Sequence, residues 1–157
     1  MERIKAIEYI MKNIEDDVVI SSCGKISREV FYIKDRPLNF YVQGSMGATV
    51  PIAIGLALSR PDKDIVAIVG DGEVLMSLGT LVLLNKLQKE GKIKNLLLFI
   101  LDNNCYQSTG GQKTVSDAVD FRLLCDCKVI FCEESKKEVP RITISHKEIK
   151  ERFMRAL

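Results

Sequence analysis

Two uninterrupted apolar segments, DIVAIVG (64–70) and NLLLFILDN (95–103), place the strongest constraint on how this chain folds. Apolar runs without polar alternation are typical of strands buried on both faces of a parallel sheet. The segment between them, EVLMSLGTLVLLNKLQKEG (73–91), has the length and apolar spacing of one long helix, which Gly91 would end. A strand, a helix and a second strand in this order predict a βαβ unit.

The same alternation of elements continues along the rest of the chain. The patterns predict further helices over 2–14, 25–33, 46–59, 118–125 and 146–156, with Asp117 as the cap of the fourth. They predict further strands over 17–22, 128–132 and 141–145, a loop leading into a short strand over 36–42, and a polar loop over 103–116. The predicted fold is therefore α/β, a doubly wound, mostly parallel sheet with helices on both faces. A length of 157 residues fits a single domain over 1–157.

Composition narrows the range of partners. Lys plus Arg is 23 and Asp plus Glu is 21, so a formal net charge of +2 gives no reason to expect nucleic-acid or membrane binding. No apolar run approaches the roughly 20 residues of a membrane helix, and the N-terminus does not have the pattern of a signal peptide. Five cysteines are an odd number, and without an export signal they indicate reduced thiols and a cytoplasmic protein.

Three loops lie at the predicted carboxyl ends of strands, where parallel α/β sheets bind their ligands. They are QGSMG (43–47), VGDGE (69–73) and LDNNCYQSTGGQ (101–112). Glycines allow a ligand to approach the backbone closely, and a helix that starts directly after such a loop favours an anion. Taken singly, each loop also fits an ordinary turn, with Asp71 as a helix cap and residues 102–104 as an Asx-rich turn.

The combination of two of these loops predicts a metal site. Gly-Asp-Gly is followed, after 29 residues (73–101), by Asp102 and Asn103, an interval that holds one helix and one parallel strand. Asp71 and Asn103 are thereby expected at the tips of consecutive strands, close enough to share one ion. Carboxylate and amide oxygens are the ligands that Mg²⁺ prefers.

This constellation resembles the thiamine-diphosphate-binding motif, in which GDG is followed by an Asn pair, and GSMG resembles the segment that holds the aminopyrimidine end of that cofactor. The loop pattern D-N-x-x-Y-x-S-T-G-G-Q is similar to that of the phosphonopyruvate and sulfopyruvate decarboxylase branch of the family. These motifs span 43–112. The short chain also resembles the separate cofactor-binding subunits of this branch.

The resemblance implies roles for individual residues. The side chains of Asp71 and Asn103 and the backbone carbonyl of Cys105 would bind Mg²⁺. The Gly44 carbonyl would accept a hydrogen bond from the aminopyrimidine, and Met46 would hold the cofactor in its bent shape. The complete implied set of cofactor-binding residues is Gly44, Ser45, Met46, Gly70, Gly72, Glu73 and Tyr106.

The resemblance also implies that no residue of this chain is catalytic by itself. The activating glutamate of the family belongs to a pyrimidine-binding domain, so a partner (alpha) subunit is expected to supply it in a hetero-oligomer. The implied reaction is decarboxylation of a small 2-oxo acid, 3-sulfopyruvate, to sulfoacetaldehyde on the route to coenzyme M. Phosphonopyruvate decarboxylation and a non-catalytic cofactor-binding module remain alternatives. A ferredoxin-linked oxo-acid oxidoreductase subunit is a weaker one, because the cysteine spacing suits an iron–sulfur cluster poorly.

Two features remain open at this stage. Glu73 stands where the family usually has a small residue, and a carboxylate there would repel a diphosphate unless it turns away or reaches a cation. The loop after the Asn pair could bind the terminal anion of a substrate or could pack as a mobile segment over the cofactor. Its candidate residues are Ser108, Thr109, Gly110, Gly111 and Gln112.

Overall fold

A computed structural model describes all residues, 1–157, and contains six α-helices and seven strands. The helices are α1 Arg3–Lys12, α2 Lys25–Ile33, α3 Thr49–Ser59, α4 Asp71–Met76, α5 Leu78–Lys89 and α6 His146–Ala156. The strands are β1 Val18–Ser21, β2 Asn39–Tyr41, β3 Ile65–Gly70, β4 Leu96–Asp102, β5 Cys105–Tyr106, β6 Gln112–Lys113 and β7 Lys128–Phe131. None of the helices is both long and apolar enough to span a bilayer.

Five strands form one sheet in the order β2-β1-β3-β4-β7, and every neighbouring pair is parallel. From β1 the chain winds outward to β2 and then returns past β1 to β3, so the direction of winding reverses between β1 and β3. Such a reversal leaves a crevice beyond the carboxyl ends of the two strands. The predicted doubly wound α/β fold is confirmed.

Alternate side chains of the central strands enter two separate apolar cores, one on each face of the sheet. One core packs the sheet against α3 and α5, and the other packs it against α1 and α2. In β3, for example, Ala67 belongs to the first core and Ile68 to the second, and both are fully buried. This two-sided burial explains why the sequence of β3 shows no polar alternation.

The helix predicted over 73–91 is instead two helices, so that part of the prediction was wrong. Residue Ser77 leaves the helical region with φ −129° and ψ 36°, which separates α4 from α5. The break lies against Gly47, where an added Cβ atom would be 3.5 Å from Cβ of Met76 and 3.6 Å from Cβ of Ser77. The helix therefore breaks at a tertiary contact. The spacing of apolar residues along the sequence does not report such a contact.

Two other predicted elements are absent. Residues 118–125 form short 3₁₀ turns, Ser116–Ala118 and Phe121–Leu123, because Val119 between them is extended (φ −132°, ψ 124°). The segment 141–145 does not join the sheet, since no strand lies beside it to complete a hydrogen-bond ladder. Its Ile142 and Ile144 pack partly against the α1–α2 core, which accounts for their apolar character.

The loop predicted over 103–116 contains structure that the sequence did not indicate. Strands β5 and β6 pair antiparallel as a small hairpin, with Cys105 opposite Lys113 and Tyr106 opposite Gln112. The Thr114 N–H donates to the Asn104 carbonyl at 3.0 Å. The hairpin thereby fixes the loop beside the carboxyl ends of β3 and β4.

Candidate active site

A cavity of about 240 Å³ lies beyond the carboxyl ends of β1, β3 and β4. It is the crevice expected where the winding of the sheet reverses. Most of the residues predicted for cofactor and metal binding meet there: Met46, Gly70, Asp71, Gly72, Glu73, Asn103, Cys105 and Tyr106.

Oxygen atoms converge at one edge of this cavity. Strands β3 and β4 pair with Gly70 opposite Leu101, which brings Asp71 and Asn103 side by side, as predicted. The end of the Asn103 side chain lies 3.1 Å from Oδ1 of Asp71 and 3.0 Å from the Cys105 carbonyl oxygen. If that atom is the amide nitrogen, it donates hydrogen bonds to both neighbours; if it is the oxygen, three oxygen ligands face one point.

The spacing of these atoms fits a magnesium ion. Mg²⁺ holds its ligands at roughly 2.0–2.1 Å in octahedral geometry, so adjacent ligand oxygens lie about 3.0 Å apart. The separations of 3.1 and 3.0 Å match this value, and they equally match N–H···O hydrogen bonds. With an ion present, the amide oxygen would face Asp71, and the Cys105 N–H, which lies 3.3 Å from Asn103 Oδ1, would be placed to support that orientation. No group of three His, Cys, Asp or Glu side chains converges anywhere in the chain, so a Mg²⁺ site here would use mixed oxygen donors.

Side-chain hydroxyl groups donate hydrogen bonds to Asp71 and to the neighbouring Asp102. Thr114 Oγ1 donates to Asp71 Oδ2 at 2.6 Å, and Ser116 Oγ donates to Asp102 Oδ1 at 2.9 Å. Burial raises the pKa of Asp71; the Thr114 hydrogen bond opposes this shift and the nearby Asp102 carboxylate adds to it. A buried carboxylate with a raised pKa is a group for which a cation would be the natural counter-charge.

Gly72 is needed because the ring of Tyr106 packs directly on its Cα atom. A Cβ atom at position 72 would lie 2.5 Å from Cε1 and 2.7 Å from Cδ1 of that ring. The aromatic ring therefore forms a wall over the first turn of α4, and only glycine leaves room for it. The sequence singled out both residues, but not their contact.

Glu73 is buried in a polar niche. Its Oε1 accepts a hydrogen bond from the Thr49 N–H, at the start of α3, at 3.0 Å, and its Oε2 accepts one from the Ser22 hydroxyl. A helix N-terminus carries partial positive charge. The carboxylate is thus held by a backbone N–H and a hydroxyl group rather than by the cation that the sequence led us to consider.

The GSMG segment lies at the rim of the crevice in a strained backbone conformation. Gly44 and Gly47 have φ of +71° and +96°, and Ser45 adopts φ +49° without being a glycine. Met46 lines the main cavity with its side chain partly exposed, whereas Gly44 lines a neighbouring cavity and Ser45 lies on the surface. A non-glycine residue at positive φ is uncommon and is found often at ligand-binding segments.

The candidate substrate loop is divided by the structure. Ser108 and Thr109 line the main cavity. Gly110, Gly111 and Gln112 are exposed and lie outside it, and the Gln112 side chain folds back on Thr109. The structure brings only the first part of this loop to the predicted cofactor site.

Sequence analysis missed the residues that follow β1. Ser22, Cys23, Gly24 and Lys25 line the main cavity. Gly24 has φ +76° and immediately precedes α2, so the rule applied to the other three loops would have selected this one as well. A further residue came from the N-terminus: Arg3 lines the same cavity, holds Glu29 in a buried ion pair and contacts Gln107. Its position depends on the packing of α1, which no local pattern predicts.

The sequence profile of the thiamine pyrophosphate enzyme C-terminal TPP-binding domain matches residues 22–126. This segment contains the crevice, the oxygen cluster and the GSMG segment. The chain therefore belongs to the thiamine pyrophosphate enzyme family and contains its C-terminal cofactor-binding domain.

Curated relatives place the chain within that family. It is 46% identical to the sulfopyruvate decarboxylase subunit beta of Methanothermobacter thermautotrophicus over 121 residues, which are 77% of this chain and 63% of that protein. It is 37% identical to the subunit of the same name from Methanococcus maripaludis over 150 residues, 92% of this chain and 78% of that one. It is 41% identical to the phosphonopyruvate decarboxylase of Streptomyces viridochromogenes over 76% of this chain and 29% of that enzyme.

Two further observations bear on length and fold. The chain spans about three fifths of the length of the Methanothermobacter relative. Among solved structures, the benzoylformate decarboxylase of Polynucleobacter necessarius superposes with a TM-score of 0.54 and 16% identity, over 90% of this chain and 34% of that one. At this identity the match shows a shared fold.

Proposed function

We propose that this chain is the cofactor-binding subunit of a thiamine-diphosphate- and Mg²⁺-dependent decarboxylase that converts 3-sulfopyruvate to sulfoacetaldehyde and CO₂ in the cytoplasm, on the route to coenzyme M. The observation that carries the proposal is the convergence of Asp71 Oδ1, the Asn103 side-chain amide and the Cys105 carbonyl oxygen at one edge of the crevice. The family membership and the names of the two subunit beta relatives support the same conclusion.

In this proposal the three oxygens hold Mg²⁺, which neutralises the diphosphate. The N–H groups in the first turn of α4, including those of Gly72 and Glu73, have no acceptor within the helix and would donate to phosphate oxygens. The Tyr106 ring would close this end of the crevice against water. Bound thiamine diphosphate supplies the electron sink for loss of CO₂ from a 2-oxo acid.

The GSMG segment would hold the other end of the cofactor. The Gly44 carbonyl would accept a hydrogen bond from its amino group, and the flexible Met46 thioether would fill the bend between its two rings. The positive φ angles of Gly44 and Ser45 set the direction of these groups before any ligand arrives. Positioning of this kind lowers the cost of ordering the reactants.

The proposal includes a partner subunit. The family resemblance assigns the activating glutamate to a pyrimidine-binding domain, and the relatives of this chain are named subunit beta. We expect the site to be complete only where this chain meets an alpha subunit that carries the glutamate. Phosphonopyruvate is the second candidate substrate, because the Streptomyces enzyme named for it is 41% identical over 120 residues.

The test is a decarboxylation assay with thiamine diphosphate, Mg²⁺ and 3-sulfopyruvate, run on this chain alone and on this chain co-expressed with the alpha subunit. We expect activity only when both subunits are present. Asp71→Ala should abolish Mg²⁺-dependent cofactor binding, measured by calorimetry, while Asp62→Ala, at an exposed surface pair with Arg60, serves as the control. Retained activity of the Asp71→Ala complex would refute the metal assignment. Turnover of phosphonopyruvate but not of 3-sulfopyruvate would replace the proposed substrate with phosphonopyruvate.

A further inference from the structure

A second cavity, of about 370 Å³, adjoins the cofactor crevice. It shares Gly24 with that crevice and is bordered by Gly44, the residue proposed to face the amino group of the cofactor. Its position places it beside the reacting end of the proposed cofactor and away from the oxygen cluster at the diphosphate end. No role has been assigned to it so far.

The charges around this cavity are of one sign. Arg28, in the first turn of α2, and Arg141, on the segment that follows β7, both line it, and no carboxylate does. Neither guanidinium takes part in an ion pair or a side-chain hydrogen bond. Arg28 is half-buried and also lines the cavity that contains Glu29, Glu134 and Glu138, but it forms an ion pair with none of them.

Other cations near this cavity are paired with carboxylates, in contrast to Arg28 and Arg141. Arg3 is bound to Glu29, and Lys25 to Glu134 at 2.7 Å. These two cations line a further cavity, together with the acids that neutralise them. The cavity of Arg28 and Arg141 places two unpaired guanidinium groups next to Gly44, beside the proposed site of chemistry.

We propose that Arg28 and Arg141 bind the terminal anion of the substrate, the –CH₂–SO₃⁻ or –CH₂–PO₃²⁻ group of the 2-oxo acid; this inference rests on the function proposed above. Guanidinium groups suit such oxyanions because their planar donors form paired hydrogen bonds. The terminal anion keeps its charge throughout decarboxylation, so its binding does not oppose the reaction. The carboxylate that leaves as CO₂ loses its charge, and cations placed on it would stabilise the ground state instead.

This role predicts a specific kinetic pattern in the complex with the alpha subunit. A contact made equally in the ground state and the transition state changes KM rather than kcat. Arg28→Gln or Arg141→Gln should each raise KM for 3-sulfopyruvate on the order of 10- to 100-fold with little change in kcat. The preference for 3-sulfopyruvate over pyruvate, which lacks the terminal anion, should fall by the same factor. Arg28→Lys should recover part of it, since the charge remains without the paired donors.

A binding measurement without turnover gives an independent readout. Calorimetry on the complex with thiamine diphosphate and Mg²⁺ would compare 3-sulfopropanoate with propanoate, a pair that differs only in the sulfonate, and then with 3-phosphonopropanoate. Both glutamine variants should lose affinity for the two probes with a terminal sulfonate or phosphonate, and not for propanoate, whose only charge is its carboxylate. Arg155→Gln, an exposed arginine of α6 outside both cavities, is the matched control.

The outcomes separate this inference from the proposed function. If the variants bind thiamine diphosphate normally but keep both their KM and their affinity for 3-sulfopropanoate, the arginine subsite is refuted and the proposed function stands. If the unaltered complex fails to bind thiamine diphosphate, the proposed function fails, and the subsite with it. Arg141→Gln lies on an exposed segment, so it remains informative if Arg28→Gln does not fold. Tighter binding of the sulfonate or of the phosphonate probe would identify the natural anion.

Discussion

The Glu73 carboxylate accepts a hydrogen bond from the Thr49 N–H at 3.0 Å, which joins the first turn of α4 to the start of α3. The Ser22 hydroxyl donates to the same carboxylate from the end of β1. One buried side chain therefore ties together three of the elements that surround the crevice. This explains how a carboxylate is accommodated beside the proposed diphosphate position.

Two substitutions of Glu73 should distinguish the contribution of its hydrogen bonds to stability from the contribution of its charge. Glu73→Ala would leave two buried donors unpaired and should cost about 2–4 kcal/mol in the free energy of unfolding. Glu73→Gln should cost about 1 kcal/mol, because its oxygen can still accept from Thr49 while Ser22 accepts from its NH₂ group. Urea denaturation of the three proteins measures both values. Equal costs for the two variants would contradict the proposed pairing.

The contact between Gly72 and Tyr106 predicts a steric effect on the site. In Gly72→Ala the new Cβ atom would overlap the ring, so Tyr106 must move, at a cost of about 1–3 kcal/mol. Thiamine diphosphate should also bind more weakly. Gly79→Ala is the control, because no atom lies within 4 Å of its added Cβ in α5, and it should stabilise the chain by about 0.5–1 kcal/mol. Thermal unfolding and calorimetric titration would give both results; unchanged stability of Gly72→Ala would show that the ring is free to move.

The buried ion pair between Arg3 and Glu29 predicts strong coupling. Two hydrogen bonds of 2.8 and 2.7 Å join the groups, and their side chains are only 5% and 2% exposed. Arg3→Met should cost about 3–5 kcal/mol, because it leaves Glu29 charged and unpaired in the interior. The double variant Arg3→Met/Glu29→Leu should recover most of that loss. Urea midpoints of the single and double variants test this, and additive losses would contradict it.

The cluster of Asp35, Arg152 and Tyr41 predicts how stability depends on pH. Burial raises the pKa of Asp35, but hydrogen bonds from Arg152 and from the Tyr41 hydroxyl lower it by more, so the net pKa lies below its ordinary value. The stabilisation is therefore complete above the unfolded pKa of about 3.9 and is lost as the pH falls through the lower folded value.

Arg152→Gln should reveal this contribution. The variant should be less stable than the unaltered chain near neutral pH. The difference should shrink as the pH falls below about 4 and on through the lower pKa of Asp35 in the folded chain. Urea denaturation at a series of pH values measures the difference, with Arg155→Gln as the control on the same helix. A difference that stays constant down to pH 2 would show that Arg152 acts through packing alone.

Much of the fold and of the site follows from local sequence. The apolar runs of β3 and β4 predict buried parallel strands, and their spacing places Asp71 beside Asn103, as the structure shows. The bounds of α2 and α6 agree with the helix predicted after Gly24 over 25–33 and with the amphipathic helix predicted over 146–156. These features are predictable because burial on one face produces a periodic apolar pattern in the sequence, and burial of a strand on both faces produces an uninterrupted apolar run.

Other features depended on contacts between distant segments. The break at Ser77 between α4 and α5 lies against Gly47, and the segment 141–145 has strand-like residues but no neighbouring strand to pair with. Neither the contact nor the absence of a partner strand leaves a local pattern. For this reason periodicity predicted a continuous helix in the first case and a strand in the second.

The sequence by itself determined the order of elements, the two-sided sheet and the residues at the ends of β3 and β4. Only the tertiary structure decided where Glu73 turns, that Arg3 reaches the crevice, and that Arg28 and Arg141 share a cavity beside Gly44. The physical reason is that strand and helix periods report which face of an element is buried. The partner that a polar or charged side chain finds depends on how separate elements pack, and this is fixed only when the whole chain has folded.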